Sequence, residues 1–361
     1  MSLQIPNLKP LFPIGRCRMT VFDFINQVDQ RYRGLGIPTL YGVLSILANK
    51  SVFFIAEKGH GKTRVINLTP KIEETIEKKM DTFTLSALDG YQINDEHLVL
   101  KVEDFSTTSK YHRDVFLGVF SKMISDGNYY HHTKGPKGLS IDIKNCKLTV
   151  LVAIQPQLYS SLCDRYEGWE NMASDRFSKF VLLNPLRSVD IDEKFVPTLP
   201  RRISNSVKFS LDVVDLSKVI EMYRKQISGG RAFFYARNYA IALARFLGAE
   251  VVKQEHVDLV YQLFYPYLNC YSVLQRRKDL DCSVQISAGN LKLLGEIGKS
   301  IDYAEKKELA KELHVDKRSI ERPAEELLEA GLIEKPSLKA GRYRLSESLR
   351  SFFNWYSGLI L

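Results

Sequence analysis

Residues 56–63, AEKGHGKT, stand between SVFFI (51–55), a continuous apolar run of strand length, and TRVINL, an apolar-periodic stretch that Pro70 ends or kinks. A glycine-rich turn between a buried strand and a helix aims several backbone N–H groups at one point. The N-terminal end of the helix dipole favours negative charge there. Gly59 and Gly61 allow the backbone close approach. Lys62 can reach the β- and γ-phosphates as a point charge, and the Thr63 hydroxyl can sit on Mg²⁺. The expected ligand is ATP with Mg²⁺. The candidate nucleotide-binding residues are Glu57, Lys58, Gly59, His60, Gly61, Lys62, Thr63 and Arg64. The full pattern opens on glycine, where this chain has Ala56. The plainer alternative is a glycine turn with an incidental Lys-Thr.

Such a loop needs an acidic partner at the end of another buried strand. LVLKV (98–102) runs into Glu103 and Asp104. Glu103 is the candidate metal residue beside Thr63, and Asp104 the candidate that orients or deprotonates the attacking water. The alternative is a solvated acidic pair. A further apolar strand, KLTVLVAI (147–154), ends at Gln155, whose amide both donates and accepts and can position that water.

The remaining elements follow from periodicity. Residues 14–48 predict two helices, KIEETIEKK a polar helix, TFTLS (82–86) a short strand, 108–126 an amphipathic helix and FSKFVLL (177–183) a strand. Buried strands alternating with helices predict an α/β fold with a parallel sheet covered on both faces. After residue 200 the pattern turns helical, over 211–227, 230–247 and 253–269, and 271–284 reads as a linker. Three parts are expected: a nucleotide-binding core (1–200), a helical lid and linker (201–284), and a C-terminal module (285–361).

VEDFSTT, VAIQP and ASDRFSKF resemble the AAA+ ATPases, closest to minichromosome-maintenance helicases and archaeal replication initiators, over roughly residues 14–270. The resemblance implies that Gln155 is the sensor-1 residue. It implies that Arg176 reaches a neighbouring subunit's γ-phosphate. It also implies that Arg231, or else Arg237, is the sensor-2 arginine of the lid helix GGRAFFYARNYAIALA (229–244). Arginine suits such roles because it stays charged and grips phosphate oxygens bidentately. In the helicases a hairpin before sensor 1 carries a DNA-contacting lysine. HHTKGPKG occupies that place, making Lys134 and Lys137 candidates, and His131 and His132 beside them read as loop polarity rather than a metal site.

EKKELAKELHVDKRSIERPAEELLEAGLIEK (305–335) resembles a winged helix-turn-helix. HVD is its tight turn and Asp316 a cap for the next helix. Lys317, Arg318, Ser319 and Arg322 lie where a recognition helix meets DNA, and Lys335, Lys339, Arg342 and Arg344 lie on the expected wing. Pro323 in mid-helix should kink it. A protein-binding winged helix is the alternative.

The net charge of +9 suits a polyanionic partner. No apolar run is long enough to span a bilayer, and the N-terminus lacks a signal-peptide pattern, so a cytoplasmic protein is expected. The five cysteines make no CxxC, which speaks against a disulfide framework or zinc site. The reading is an oligomeric ATPase that binds duplex DNA, in replication initiation or helicase loading. The alternative is a nucleotide-gated transcriptional regulator or scaffold with little hydrolysis, since the acid pair is Glu then Asp where Asp then Glu is usual.

Overall fold

The computed structural model describes residues 20–56, 58–80, 92–105, 118–120, 122–132, 140–165, 176–182, 187–188, 194–201, 203–275, 293–294, 296–298, 300, 303–329, 332–335 and 341–346. The chain enters through helix α1 (Val21–Asp29). It starts on a capping box in which the Thr20 side chain accepts from the Asp23 N–H and Asp23 from the Thr20 N–H. Strand β1 (Tyr32–Arg33) leads to helix α2 (Gly36–Ala48). Every residue of α2 is buried, as expected of a helix apolar on all sides. It packs against α1, and its left-handed cap at Asn49 turns the chain directly into strand β2 (Ser51–Ile55).

Helix α3 (Lys62–Leu68) follows the glycine-rich turn and stops just before Pro70. Strands β3 (Thr75–Met80), β4 (Gln92–Asn94) and β5 (His97–Val102) come next. Residues 118–120 and 122–126 are helical and precede β6 (Tyr129–His132), β7 (Ser140–Lys144) and β8 (Lys147–Ile154). Helix α4 (Pro156–Arg165), β9 (Phe177–Val181) and β10 (Arg187–Ser188) complete this part, with β10 antiparallel to β1.

Five strands form one parallel sheet in the order β3-β5-β8-β2-β9. Its central strands are buried on both faces, which is why SVFFI and KLTVLVAI read as unbroken apolar runs. The α/β class with a parallel sheet is the one expected. A smaller sheet, β4-β7-β6, pairs β6 and β7 antiparallel.

Two expectations change. KIEETIEKK is not a helix: Thr75–Met80 is the edge strand β3, paired with β5 from Thr75↔His97 to Met80↔Val102. Lys and Glu favour helix weakly, and a pairing partner outweighs that preference. His131 and His132, expected in a loop, lie on the strand β6. The expected strand at 82–86 lies outside the described residues.

Helices α5 (Ser217–Arg224), α6 (Gly229–Phe246) and α7 (Gln254–Gln275) pack on one another, with α6 against α2 and α7 against β9. A buried aromatic cluster makes the joint. Tyr41 of α2 stacks on Tyr239 of α6 at 4.9 Å and lies 4.4 Å from Phe180 of β9, while Phe180 stacks on Tyr267 of α7 at 4.6 Å. Burial pushes the Tyr239 phenol up to about 12, so it stays protonated and shares a 2.8 Å hydrogen bond with Ser45.

Further on, β11 (Ala304–Glu305), helix α8 (Lys306–Glu312), a 3₁₀ turn (Arg318–Ile320), helix α9 (Glu321–Glu329), β12 (Ile333–Glu334) and β13 (Arg342–Leu345) form a helix-turn-helix beside an antiparallel sheet of order β11-β13-β12. Pro323 is not in mid-helix. It falls in the first turn of α9, where an N–H has no intrahelical partner. Among the described residues no helix is long and apolar enough to cross a membrane.

Gly36 shows how tightly α1 and α2 approach. A Cβ there would lie 2.6 Å from the Ile25 carbonyl oxygen and 2.7 Å from an Asp29 carboxylate oxygen. That carboxylate is buried and its Oδ1 accepts from the Gly34 and Gly36 amides at 2.8 and 2.9 Å. Gly36→Ala should therefore cost about 1–3 kcal/mol by overpacking. Urea unfolding should show a lower midpoint at unchanged slope; an unchanged midpoint would contradict the packing.

Candidate functional site

Register decides which residues share an end of the sheet. In β2 and β8, Ile55 pairs with Ile154, and in β5 and β8, Val102 pairs with Val152. The loop after β2, Glu103 and Asp104 after β5, and Gln155 after β8 therefore gather at the carboxyl ends of neighbouring strands. That is where open α/β sheets bind ligands.

Gly59 and Gly61 take φ of +84° and +80°, in the left-handed region. Gly61 caps α3 without any side-chain bond to the first turn, and open space lies where a Gly59 Cβ would sit. The loop can thus come close to a ligand. Lys58 is exposed and Lys62 half-buried. His60 Nδ1 lies 3.4 Å from the Lys58 carbonyl. The Arg64 guanidinium sits 4.9 Å from the Tyr32 ring centroid, turned toward α1 and β1. Glu57 lies outside the described residues.

Thr63 Oγ1 donates a 2.9 Å hydrogen bond to the Glu103 carbonyl. This bond brings the loop helix to the acidic end of β5. The donor set fits a hard cation: a hydroxyl and carboxylates, which Mg²⁺ prefers together with water and phosphate oxygens. No cluster of three or more His, Cys, Asp or Glu side chains suited to a metal occurs among the described residues.

Lys79, which the sequence reading placed in a helix, emerges here. It lies on β3 opposite Lys101, and its Nζ is 3.5 Å from Glu103 Oε1 and 2.7 Å from Asn67 Oδ1. Behind it Lys101 is buried, paired with Glu77 at 2.9 Å and donating to the Thr69 carbonyl at 2.6 Å. Burial lowers its pKa, and Glu77 opposes that shift. Only the β3–β5 pairing brings these side chains to Glu103, so no local pattern announced them.

Arg176 and Arg231 lie at the other end of the sheet. Arg176 precedes Phe177, which pairs with Ser51, the first residue of β2. At about 3.3 Å per residue, Arg176 stands roughly 20 Å from the loop that follows Ile55. Its Nε donates to Ser125 Oγ at 2.9 Å, and its carbonyl accepts from the Tyr235 hydroxyl at 2.8 Å. Arg231, exposed at the start of α6, shares a cavity with Arg176, Lys50 and Lys147. Arg237 instead stacks over Phe209 at 5.4 Å.

In the C-terminal helix-turn-helix, the Asp316 carboxylate accepts from the Ser319 and Arg318 amides at 3.0 and 2.7 Å, and from the Ser319 hydroxyl at 2.9 Å. These bonds, the Ser319 amide's first, hold the Asp316 pKa below the ordinary carboxylate value. Lys317 and Arg318 are exposed beside this cap. Arg322 pairs with Glu326, Arg342 with Glu305 and Arg344 with Glu334, at 3.2, 2.9 and 2.7 Å. Lys134 and Lys137, between β6 and β7, and Lys339, between β12 and β13, lie outside the described residues. His132 Nδ1 is 3.2 Å from Ser140 Oγ.

The strand order, the left-handed glycine turn and the acid-bearing strand end define an α/β core with a P-loop. No family model and no curated protein matches the chain. Among solved structures it is similar to a full-length MCM homolog from Methanopyrus kandleri, at 13% identity and a TM-score of 0.42. The match covers 69% of this chain and 58% of that one. So distant a likeness adds nothing to what the strand order already establishes.

Lys79 competes with any cation for Glu103. An exposed pair of this kind contributes about 0–1 kcal/mol. Lys79→Met should lower the Mg²⁺ midpoint for nucleotide binding by up to about fivefold, read from a Mg²⁺ titration with a fluorescent nucleotide. An unchanged midpoint would show that Lys79 does not oppose the metal.

Proposed function

We propose that this chain is a AAA+ ATPase of the helicase and initiator type, assembled from several copies and bound to duplex DNA. The observation that carries the nucleotide reading is the 2.9 Å bond from Thr63 to the acidic end of β5, beside two left-handed glycines. In this reading the loop amides and Lys62 hold the phosphates, and Thr63 and Glu103 hold Mg²⁺. The metal would neutralise charge on the phosphate oxygens. Asp104 takes the proton of the attacking water, and the Gln155 amide orients that water.

A subunit has its loop at one end of the sheet and Arg176 and Arg231 at the other. Two copies in head-to-tail contact would bring the halves together, and repeating that contact closes a ring. This supports the reading of Arg176 as a group serving a neighbour's nucleotide; Arg231, expected as the sensor-2 arginine of the lid, would in this arrangement face the neighbour as well. Lys62→Ala should weaken nucleotide binding by at least about tenfold. Arg176→Ala should bind normally but fail to turn over. Mixing the two inactive variants should restore steady-state hydrolysis, since each supplies what the other lacks. Full activity of Arg176→Ala alone would exclude the shared site.

DNA binding is assigned to the C-terminal helix-turn-helix and its wing, in a role in replication initiation or helicase loading. Lys317 and Arg318 are its most available cations. Arg342 and Arg344 must first leave Glu305 and Glu334, a small cost for exposed pairs. Affinity for duplex DNA should fall with salt at a log–log slope of about −0.9 per phosphate contact. Replacing Lys317 and Arg318 with Ala in the full chain should make the slope shallower by about 2, measured by fluorescence anisotropy. An unchanged slope would assign this module to a protein partner.

A further inference from the structure

The cavity at the amino ends of β2, β8 and β9 has a volume of about 640 Å³, within the range of small-molecule sites. Among the described residues, Lys50, Lys147, Arg176 and Arg231 line it, against the one carboxylate of Asp126. Such an excess of one charge in a concave site focuses the field on an anion.

Of the two cations of this group with no earlier assignment, Lys50 and Lys147, Lys50 is the one packed against Tyr235 and beside Arg231. It stands between the left-handed Asn49 and the first residue of β2, and its backbone N–H donates to the Ser45 carbonyl at 2.9 Å. Both flanks are anchored, so the side chain leaves from a rigid point. Its ammonium lies 5.0 Å from the centroid of Tyr235. The Tyr235 hydroxyl in turn holds the Arg176 carbonyl, and Tyr235 lies one helical turn after Arg231 on α6. Tyr235 therefore touches Lys50 through its ring and the Arg176 backbone through its hydroxyl, on the helix that carries Arg231. Burial, and then the charge of Arg231, lower the pKa of Lys50. A cation held this way, partly dehydrated and beside another cation, gains when an anion enters.

We propose that Lys50 is a third cation of the shared nucleotide site, contacting with Arg176 and Arg231 the phosphate oxygens of a nucleoside triphosphate bound to the loop of a second copy. This inference rests on the shared-site reading above. It makes Lys50 a catalytic residue acting between subunits and irrelevant to nucleotide binding at its own loop.

The test uses full-length Lys50→Met and Lys50→Arg, with Arg176→Ala in parallel. ATP affinity and steady-state turnover are measured for each alone and for each mixed with Lys62→Ala. Lys50→Met should bind ATP as the wild type does, lose turnover by about tenfold or more, and regain it on mixing. Lys50→Arg should keep most of the activity. Should Lys50→Met melt early, Lys50→Gln, which keeps length and polarity but not charge, takes its place. Wild-type turnover in the charge-removing variant, while Arg176→Ala behaves as expected, would overturn the Lys50 assignment alone. A loss that neither mixing nor Lys50→Arg repairs would also overturn it, in favour of a packing role. An Arg176→Ala variant that is fully active alone, or not complemented, would instead bring down the shared-site reading.

Discussion

The parallel pairing of β2 with β8 on one side and β9 on the other is the constraint on which the rest of the structure depends. Parallel strands must all begin at one end of the sheet and finish at the other. The ladder that buries SVFFI therefore also sorts the chemistry. The loop, the Glu103–Asp104 pair and Gln155 follow strands and gather at the carboxyl end. Lys50 and Arg176 precede strands and gather at the amino end. Nothing in the side chains themselves requires that separation; it follows from strand direction.

Each end is then held by a few specific contacts. At the carboxyl end Thr63 binds the Glu103 backbone rather than its carboxylate, which leaves that carboxylate facing Lys79. A cation entering there would have to compete with Lys79 for that acid. At the amino end the arrangement is the opposite: like charges are brought together around Tyr235. Both are electrostatic preparation, and both depend on side chains held in place by packing.

The aromatic joint of α2, α6, α7 and β9 ties the three helices to the sheet. Tyr41 and Tyr239 stack within the core, while the same helix α6 carries Arg231 and Tyr235 to the basic cavity. A helix bound to the core through large buried rings has little freedom to tilt.

Some of this was legible in the residues. The apolar runs 51–55 and 147–154 announce strands buried on both faces, because only a covered parallel sheet can bury every side chain of a strand. The glycine turn between strand and helix announced the loop, since φ near +80° is open chiefly to glycine. The helices Lys306–Glu312 and Glu321–Glu329 were legible through their periodicity, and the turn between them through Asp316. Tertiary structure alone decided what depends on register and on distant partners. Thr75–Met80 became a strand because β5 offered it a ladder, against the helix preference of its Lys and Glu residues. Pro323 proved harmless because the helix begins two residues before it. Lys79 reaches Glu103, and Lys50 meets Arg176 and Arg231, only after segments far apart in the chain have paired. A sequence specifies local preference within a few residues of each position, but which charges become neighbours is set by sheet order, and sheet order is the outcome of packing the whole chain.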